Sequence, residues 1–514
     1  MVTFLVVVYF TVLGVLSAYG LHRSHLVWTC VRQAKKLDAI NAQMNAKALP
    51  AAVDASTVPH VTIQLPLYNE ATVADRLLDH VARINYPREK LEIQVLDDST
   101  DETRSLLEAH VYALRATGLD IVYIHRTDRT GYKAGALDNG LAMAKGELIA
   151  VFDADFLPNN DFLQQLVPHF EDAAIGMVQA RWGHLNRDHS LLTKVQSLML
   201  DGHHLIENRA RYASGWLFNF SGTGGMWRKE AIYSAGGWQH DTLTEDLDLS
   251  YRAQLAGWKF AYRSDVVTPA ELPENVSALR AQQYRWAKGT VQTARKLIKR
   301  VIHSDLSLGQ RVEAMFHLTP HFAYPLMVLL SVLLLPALIL LPGTDAKMML
   351  LIDLPLCVGT TGSLVVFYMM AERLQGRSRW NAVKQLPALL AIGAGLAPHL
   401  SKAVFEGMRH MSGEFVRTPK AGTPGNSAGV TRYRARADLP MLEGSLAVLS
   451  AMSTVVSVFT QHWFATPFAA LFTFGYGYVA TLVVREQFAR HPSTPTTPSS
   501  GSLPVPASSQ VALG

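Results

Sequence analysis

Two stretches of this chain, Val2–Leu21 and Leu318–Thr344, hold no charged side chain over the roughly 20 residues that a helix needs to cross a bilayer. A segment in lipid must satisfy its own backbone polar groups, so both stretches are committed to helix before anything else is read. Leu354–Ala371 is a shorter third stretch. Gly444–Val484 is about twice the length of one span and reads as two, with a tight external turn near Gln461-His462-Trp463. That makes five spans. The first has no basic residue before it, and Arg23 and Lys35-Lys36 follow it, which predicts an uncleaved anchor with its N-terminus outside. The excess of Lys and Arg on cytoplasmic loops then places Arg23–His317 inside, the short loop near Asp345 outside and the basic Arg409–Arg436 loop inside. Gln385–Ser401 is apolar but short, with basic residues on both sides. A span there would force Arg432, Arg434 and Arg436 outside, so it reads as an interfacial or re-entrant helix. The expected organisation is an anchor (1–22), a cytoplasmic domain (23–317), two spans (318–371), an interfacial helix with a basic loop (372–443), two spans (444–485) and a tail (486–514). From His491 the tail is rich in Pro, Ser and Thr and reads as disordered.

With 49% hydrophobic and 17% charged residues, the chain combines a soluble domain with a few spans. Cys30 and Cys357 lie far apart, which gives no disulfide framework and no zinc spacing and suits reduced thiols. The net charge is +5, concentrated at Arg377–Lys384 and Arg409–Arg436. That pattern suits an anionic inner leaflet and no nucleic acid.

The polar segment alternates. Val61–Leu67, Leu91–Leu96, Ile121–His125 and Leu148–Phe152 read as buried strands. Helical patterns at Ala71–Ile84, Asp101–Thr117, Ala134–Ala144 and Asn160–Phe170 follow them in turn. This predicts an α/β domain with a mostly parallel sheet. Met177–Arg181 opens a less regular half with helical patterns at Leu191–Arg211, Glu245–Gly257 and Val276–Arg300.

Acidic residues end the strands, where open α/β sheets bind ligands. Tyr68-Asn69-Glu70 ends the first; an amide and a carboxylate there can read a base and ribose, or Asn69 can cap a helix with Glu70 in its first turn. Asp97-Asp98 ends the second, and adjacent carboxylates repel unless a cation or donors compensate. Gly131–Gly135 opens a helix whose N-terminus suits phosphate, with Lys133 adding charge. Asp153-Ala154-Asp155 follows the fourth strand. Alternation puts both carboxylates on one side, where they suit Mg²⁺ or Mn²⁺, or else they form an exposed acidic turn before Pro158. Thr244-Glu245-Asp246 starts a helix; Asp246 can be a rigidly held general base, or part of an acidic first turn. Gln282 and Arg285 share one helix face, Arg285 can bind phosphate, and Trp286 offers a flat face to a sugar ring. A surface Arg beside a core Trp is the plainer reading.

In this order the motifs resemble glycosyltransferase family 2, in its processive branch with cellulose synthase, and more narrowly the cellulose-synthase-like A and C proteins that make mannan or glucan backbones. The resembling runs include Asp97–Asp101, Gly131–Leu137, Phe152–Phe156, Gln179–Trp182, Gly222–Arg228, Ala235–Trp238, Glu245–Lys259, Glu271–Pro273 and Gln282–Gly289, within roughly Val61–Lys296. The resemblance implies a glycosyltransferase-A fold and inverting transfer from UDP-glucose or GDP-mannose to a growing β-glucan or (gluco)mannan, processive and exported. It implies that Tyr68, Glu70 and Asp97 or Asp98 contact the nucleotide and Lys133 the diphosphate. Asp153 and Asp155 would hold the metal, Asp153 also reaching the donor. Asp246 would be the base, Arg285 would face the leaving diphosphate, and Gln282 and Trp286 would meet the acceptor. Gly222 and Thr223 belong to Phe220–Gly225, which resembles the loop at the acceptor end. Phe415, Thr418 and Lys420 belong to Phe415–Lys420, which resembles a gating loop; Arg417 and Pro419 depart from its commonest spelling.

Phe316, Phe322 and Tyr324 are candidate stacking steps for an exported chain, or ordinary interfacial aromatics. The implied partners are a nucleotide sugar, a polysaccharide or lipid acceptor, the bilayer and accessory export subunits. The implied location is a plasma (inner) or Golgi-type membrane with the catalytic domain cytoplasmic. No cyclic-dinucleotide-binding domain is expected after the last span. A transporter would need charges within its spans, and an inactive scaffold would have lost an Asp of the set.

Overall fold

The computed structural model describes residues 2–50, 52–340, 357–411, 413–420, 422 and 439–488. The loop near Asp345, most of the basic loop through Arg436 and the tail from His491 lie outside the described residues.

Seven strands form one sheet in the order β3-β2-β1-β4-β6-β5-β7. β1 (Val61–Leu67), β2 (Leu91–Asp97), β3 (Asp120–His125) and β4 (Leu148–Val151) pair in parallel. Helices Ala74–Val81, Thr103–Ala116 and Tyr132–Met143 connect them. β1, β2 and β4 are buried almost throughout, the polar Thr62, Gln64, Glu92 and Gln94 included, because helices cover both faces. β6 (Gly225–Arg228) runs antiparallel to β4 and β5. β5 (Ile175–His184) pairs in parallel with β7 (Lys259–Ala270). The expected irregular second half is therefore sheet as well, with Met177–Arg181 inside a ten-residue strand. Because β6 is reversed, its entry loop Ser221–Gly224 reaches the same edge as the C-terminal ends of its neighbours.

Among the described residues, five helices are long and apolar enough to cross a membrane: Thr3–Arg32, Pro320–Leu340, Arg379–Arg409, Met441–Phe459 and Thr466–Phe488. Four of them coincide with spans read from the sequence; the fifth, Arg379–Arg409, contains the segment read as interfacial. The expected third span, Leu354–Ala371, is described only from a π turn at Cys357–Gly362 into a helix at Ser363–Leu374. In its place stands the segment expected to be short, which is a helix of 31 residues. It runs past Lys384 and Lys402, which are about five turns apart on one face and both exposed, so they do not end it. Its other side is buried. A Cβ on Gly395 would lie 2.3 Å from the Gly475 carbonyl oxygen, and one on Gly407 would lie 2.8 Å from the Lys288 carbonyl oxygen. Glycine thus lets this helix touch both Thr466–Phe488 and the helix that carries Gln282–Trp286.

Phe316 stacks on His22 at 4.2 Å between ring centres, wedged against the N-terminal helix and clear of the residues that line the cleft described next.

Candidate active site

The strand ends open into one cleft, roofed by helix Val276–Ile302 and residues 415–420. On its first side, Tyr68, Glu70 and Asp98 line the wall. Asn69 stands at φ 55. Its side chain is neither a base reader nor a helix cap: Thr100 N donates to Oδ1 at 2.9 Å and its own N donates to Ser99 Oγ at 2.8 Å. These bonds tie the β1 and β2 loops together. Asp98 receives both arms of Arg126, at 2.8 and 2.5 Å. The Arg129 guanidinium lies 3.3 Å from the centre of the Tyr68 ring. Asp97 is not in the cleft. It is fully buried and accepts from Tyr123 Oη at 2.7 Å and from Ser99 N at 2.9 Å. Consecutive side chains at a strand end point to opposite faces, so only one of the pair can face the ligand.

In the centre, Lys133 Nζ lies 2.5 Å from Asp153 Oδ1 and 2.9 Å from the Gly222 carbonyl. Asp155 Oδ1 is 2.7 Å from Lys420 Nζ, and its other oxygen accepts from Glu271 N at 3.1 Å. Burial is the largest influence and pulls both lysines down, but the surrounding carboxylates, led by Asp153 at Lys133 and by Asp155 at Lys420, together hold each above the usual range. Among the described residues no three His, Cys, Asp or Glu side chains converge on one point. Asp153 and Asp155 nevertheless fit a hard divalent cation that takes its remaining oxygens from a diphosphate, since both carboxylates face the cleft and each is answered there by an ammonium.

Opposite stands Asp246, in the first turn of helix Glu245–Leu255. Burial first, then the adjacent Glu245 carboxylate, push its carboxyl above the usual range, and burial raises Glu245 too. Gly222, at φ +81, brings the β6 entry loop beside it; a Cβ there would sit 3.1 Å from Asp246 Oδ2. Thr223 is buried behind the lining, where its Oγ1 accepts from Asp153 N at 2.9 Å. Gln282, Arg285 and Trp286 all project from one helix face into the cleft. Burial lowers the Arg285 guanidinium, against the pull of Glu245 and Asp153. Arg285 lies over the Phe415 ring at 4.3 Å and donates to Thr418 Oγ1 at 2.9 Å. Phe415 and Tyr132 stack at 6.2 Å. Phe415, Thr418 and Lys420 are therefore seated on the site.

The "Glycosyltransferase like family 2" pattern matches residues 59–289. Glucomannan 4-beta-mannosyltransferase 1 of Oryza sativa subsp. japonica is 30% identical over 458 residues, which are 83% of this chain and 84% of the relative. The chain belongs to glycosyltransferase family 2. Among solved structures it resembles the mannosyltransferase PcManGT from Pyrobaculum calidifontis in complex with GDP-Man and Mn²⁺ (TM-score 0.48, 23% identity, 76% of this chain and 99% of that one). S. aureus TarS is more distant (TM-score 0.34, 14% identity, 68% of this chain and 54% of that one).

This family 2 glycosyltransferase thus gathers most of its sequence-predicted residues in one cleft. It excludes Asp97 and Thr223, and it adds several that sequence reasoning passed over. Arg126, Arg129, Glu245, Glu271 and Arg417 line or brace the cleft. Arg129 and Glu245 adjoin recognised motifs, and that adjacency was the available signal. Nothing in the sequence pairs Arg417 with Glu70.

Proposed function

We propose that this glycosyltransferase transfers a hexose, with inversion, from a nucleotide sugar to the end of a β-linked glycan of the mannan or glucomannan class. The carrying observation is the cleft in which Asp246 faces Asp153, Asp155 and Lys133 across the floor, while Arg285 and Trp286 close it from helix Val276–Ile302. The name of the rice relative supports mannose as the sugar and a β-(1→4) linkage.

Asp246 accepts the proton of an acceptor hydroxyl as that oxygen bonds to the anomeric carbon. The bond from that carbon to the diphosphate breaks, and configuration inverts because attack and departure are in line. Lys133 and Arg285 place positive charge where the leaving diphosphate gains negative charge. Asp153 and Asp155 would hold Mg²⁺ or Mn²⁺, which supplies further charge neutralisation at the diphosphate. Trp286 offers its ring to the acceptor sugar, and Glu70 and Asp98 face the nucleotide. Asp97 supports that end of the sheet from behind.

The five apolar helices make a membrane protein, and the domain division, the plasma or Golgi-type membrane and the cytoplasmic catalytic face belong to this proposal. The exposed Lys384 and Lys402 face of helix Arg379–Arg409 supports a place along the membrane surface. Processive growth and export, with accessory subunits, belong to the same proposal. Purified protein in nanodiscs with radiolabelled GDP-mannose, UDP-glucose and UDP-N-acetylglucosamine tests the reading. Label from GDP-mannose should enter a product that grows beyond one sugar per acceptor. Incorporation of one sugar into extractable lipid would replace it.

A further inference from the structure

Arg417 stands where the gating loop departs from its commonest spelling, and it is a buried cation, 8% exposed. Long cations are seldom buried without a partner. Its Nη1 lies 2.8 Å from Glu70 Oε2, and the same nitrogen donates to the Asn69 carbonyl. Both partners sit on the loop that leaves β1, at the nucleotide end of the cleft. That loop is already rigid, because Asn69 is held in the left-handed region by Ser99 and Thr100. Glu70 is itself 7% exposed, and burial raises its carboxyl to about 7 while Arg417 and then Lys420 oppose the rise. Arg417 and Glu70 therefore each need the other: removing one leaves a buried charge without its nearest counter-charge.

The rest of the segment is fastened elsewhere. Thr418 meets Arg285, Lys420 meets Asp155, and Gly422 N donates to Glu271 Oε2 at 3.2 Å. These contacts lie at the diphosphate and acceptor side. Within 415–420, Arg417 is the side chain that bonds directly to Glu70 and the Asn69 carbonyl; Lys420 acts on Glu70 through its charge, and Gly422 lies against the Thr72 carbonyl of the same loop.

We propose that Arg417 is a positioning residue that, through Glu70, makes the seating of residues 415–420 depend on the nucleotide end of the cleft. The loop is then held at both ends of the donor, and a donor lacking a fitting nucleotide leaves Glu70 and Arg417 misaligned. A loop that seats poorly lets water reach the anomeric carbon, so Arg417 governs the partition between transfer and donor hydrolysis. The catalytic consequence rests on the transfer reaction proposed above; the seating itself does not.

The test therefore starts on ligand-free full-length protein in nanodiscs. Hydrogen exchange is followed in the peptide covering 413–420 for wild type, Arg417→Ala, Arg417→Lys, Glu70→Gln and the Arg417→Ala/Glu70→Gln pair. Exchange should rise by about tenfold in Arg417→Ala and in Glu70→Gln, should rise no further in the pair, and should be largely restored in Arg417→Lys. Strand β1 serves as the internal control for folding. With GDP-mannose as donor, Arg417→Ala should raise hydrolysis relative to transfer by about tenfold, with a smaller change in KM. Unchanged exchange in Arg417→Ala, or effects of the two single variants that simply add, would overturn the proposal. Loss of protection without any transfer from any donor would leave the seating intact and refute the reaction instead.

Discussion

At the scale of single residues, the carboxylates of the cleft differ in their surroundings. Asp246 is held at a helix start, against Gly222, with its carboxyl raised by burial and by Glu245. A raised carboxyl stays protonated to higher pH, and a protonated Asp246 accepts nothing. kcat/KM should thus fall as pH drops through the raised value, with its acidic limb above the ordinary aspartate range near ~4. Asp246→Asn keeps size and capping but cannot accept a proton. Turnover should drop by roughly 10²–10⁴-fold with nucleotide affinity retained, measured by steady-state kinetics and calorimetry. Near-normal turnover would remove the base assignment. The acidic residues were legible because each follows an apolar strand or opens a helix. Asp97 was misread because two adjacent carboxylates look alike in sequence, while a strand end turns only one toward the ligand. Arg417 was illegible because its partner is 347 residues away, by subtraction of 70 from 417.

At the scale of elements, helix Val276–Ile302 packs against the turn that carries Asp246, the proposed base. Gly289 lies one turn beyond Arg285, and a Cβ there would come 2.6 Å from Thr244 Cγ2 and 2.8 Å from Thr244 N. Gly289→Ala should lower kcat by up to about 10²-fold by shifting Thr244-Glu245-Asp246, although alanine is the better helix former. Kinetics paired with thermal melts checks this; an unchanged kcat in a folded variant would show that the contact yields without moving the base. The first four strands were legible to within a residue or two, because their apolar runs alternate with amphipathic helices. β6 was not, since Gly-Met-Trp-Arg carries no period and forms only between two partners. β7 was passed over because Lys259, Arg263 and Asp265 interrupt its apolar run. Arg263 is in fact fully buried and paired with Asp265 at 2.9 Å.

At the scale of the whole molecule, a cleft built at the edge of a sheet is roofed by a helix that leans on the membrane bundle. Gly407 against Lys288 and Gly395 against Gly475 make that contact close. Orientation is checked by cysteine labelling in a background without Cys30 and Cys357. Trp463→Cys, between the last two apolar helices, should react with a membrane-impermeant thiol reagent in intact cells. His410→Cys should react only after permeabilisation. Labelling of His410→Cys from outside would mean that Arg379–Arg409 crosses the bilayer. The central claim is inverting transfer onto a β-linked glycan, and product linkage tests it most directly. Polymer made by the purified protein from GDP-mannose, whose mannosyl bond is α, should be cut to short oligosaccharides by endo-β-(1→4)-mannanase and resist α-mannosidase. Release of mannose by α-mannosidase, with no cleavage by the β-mannanase, would contradict it.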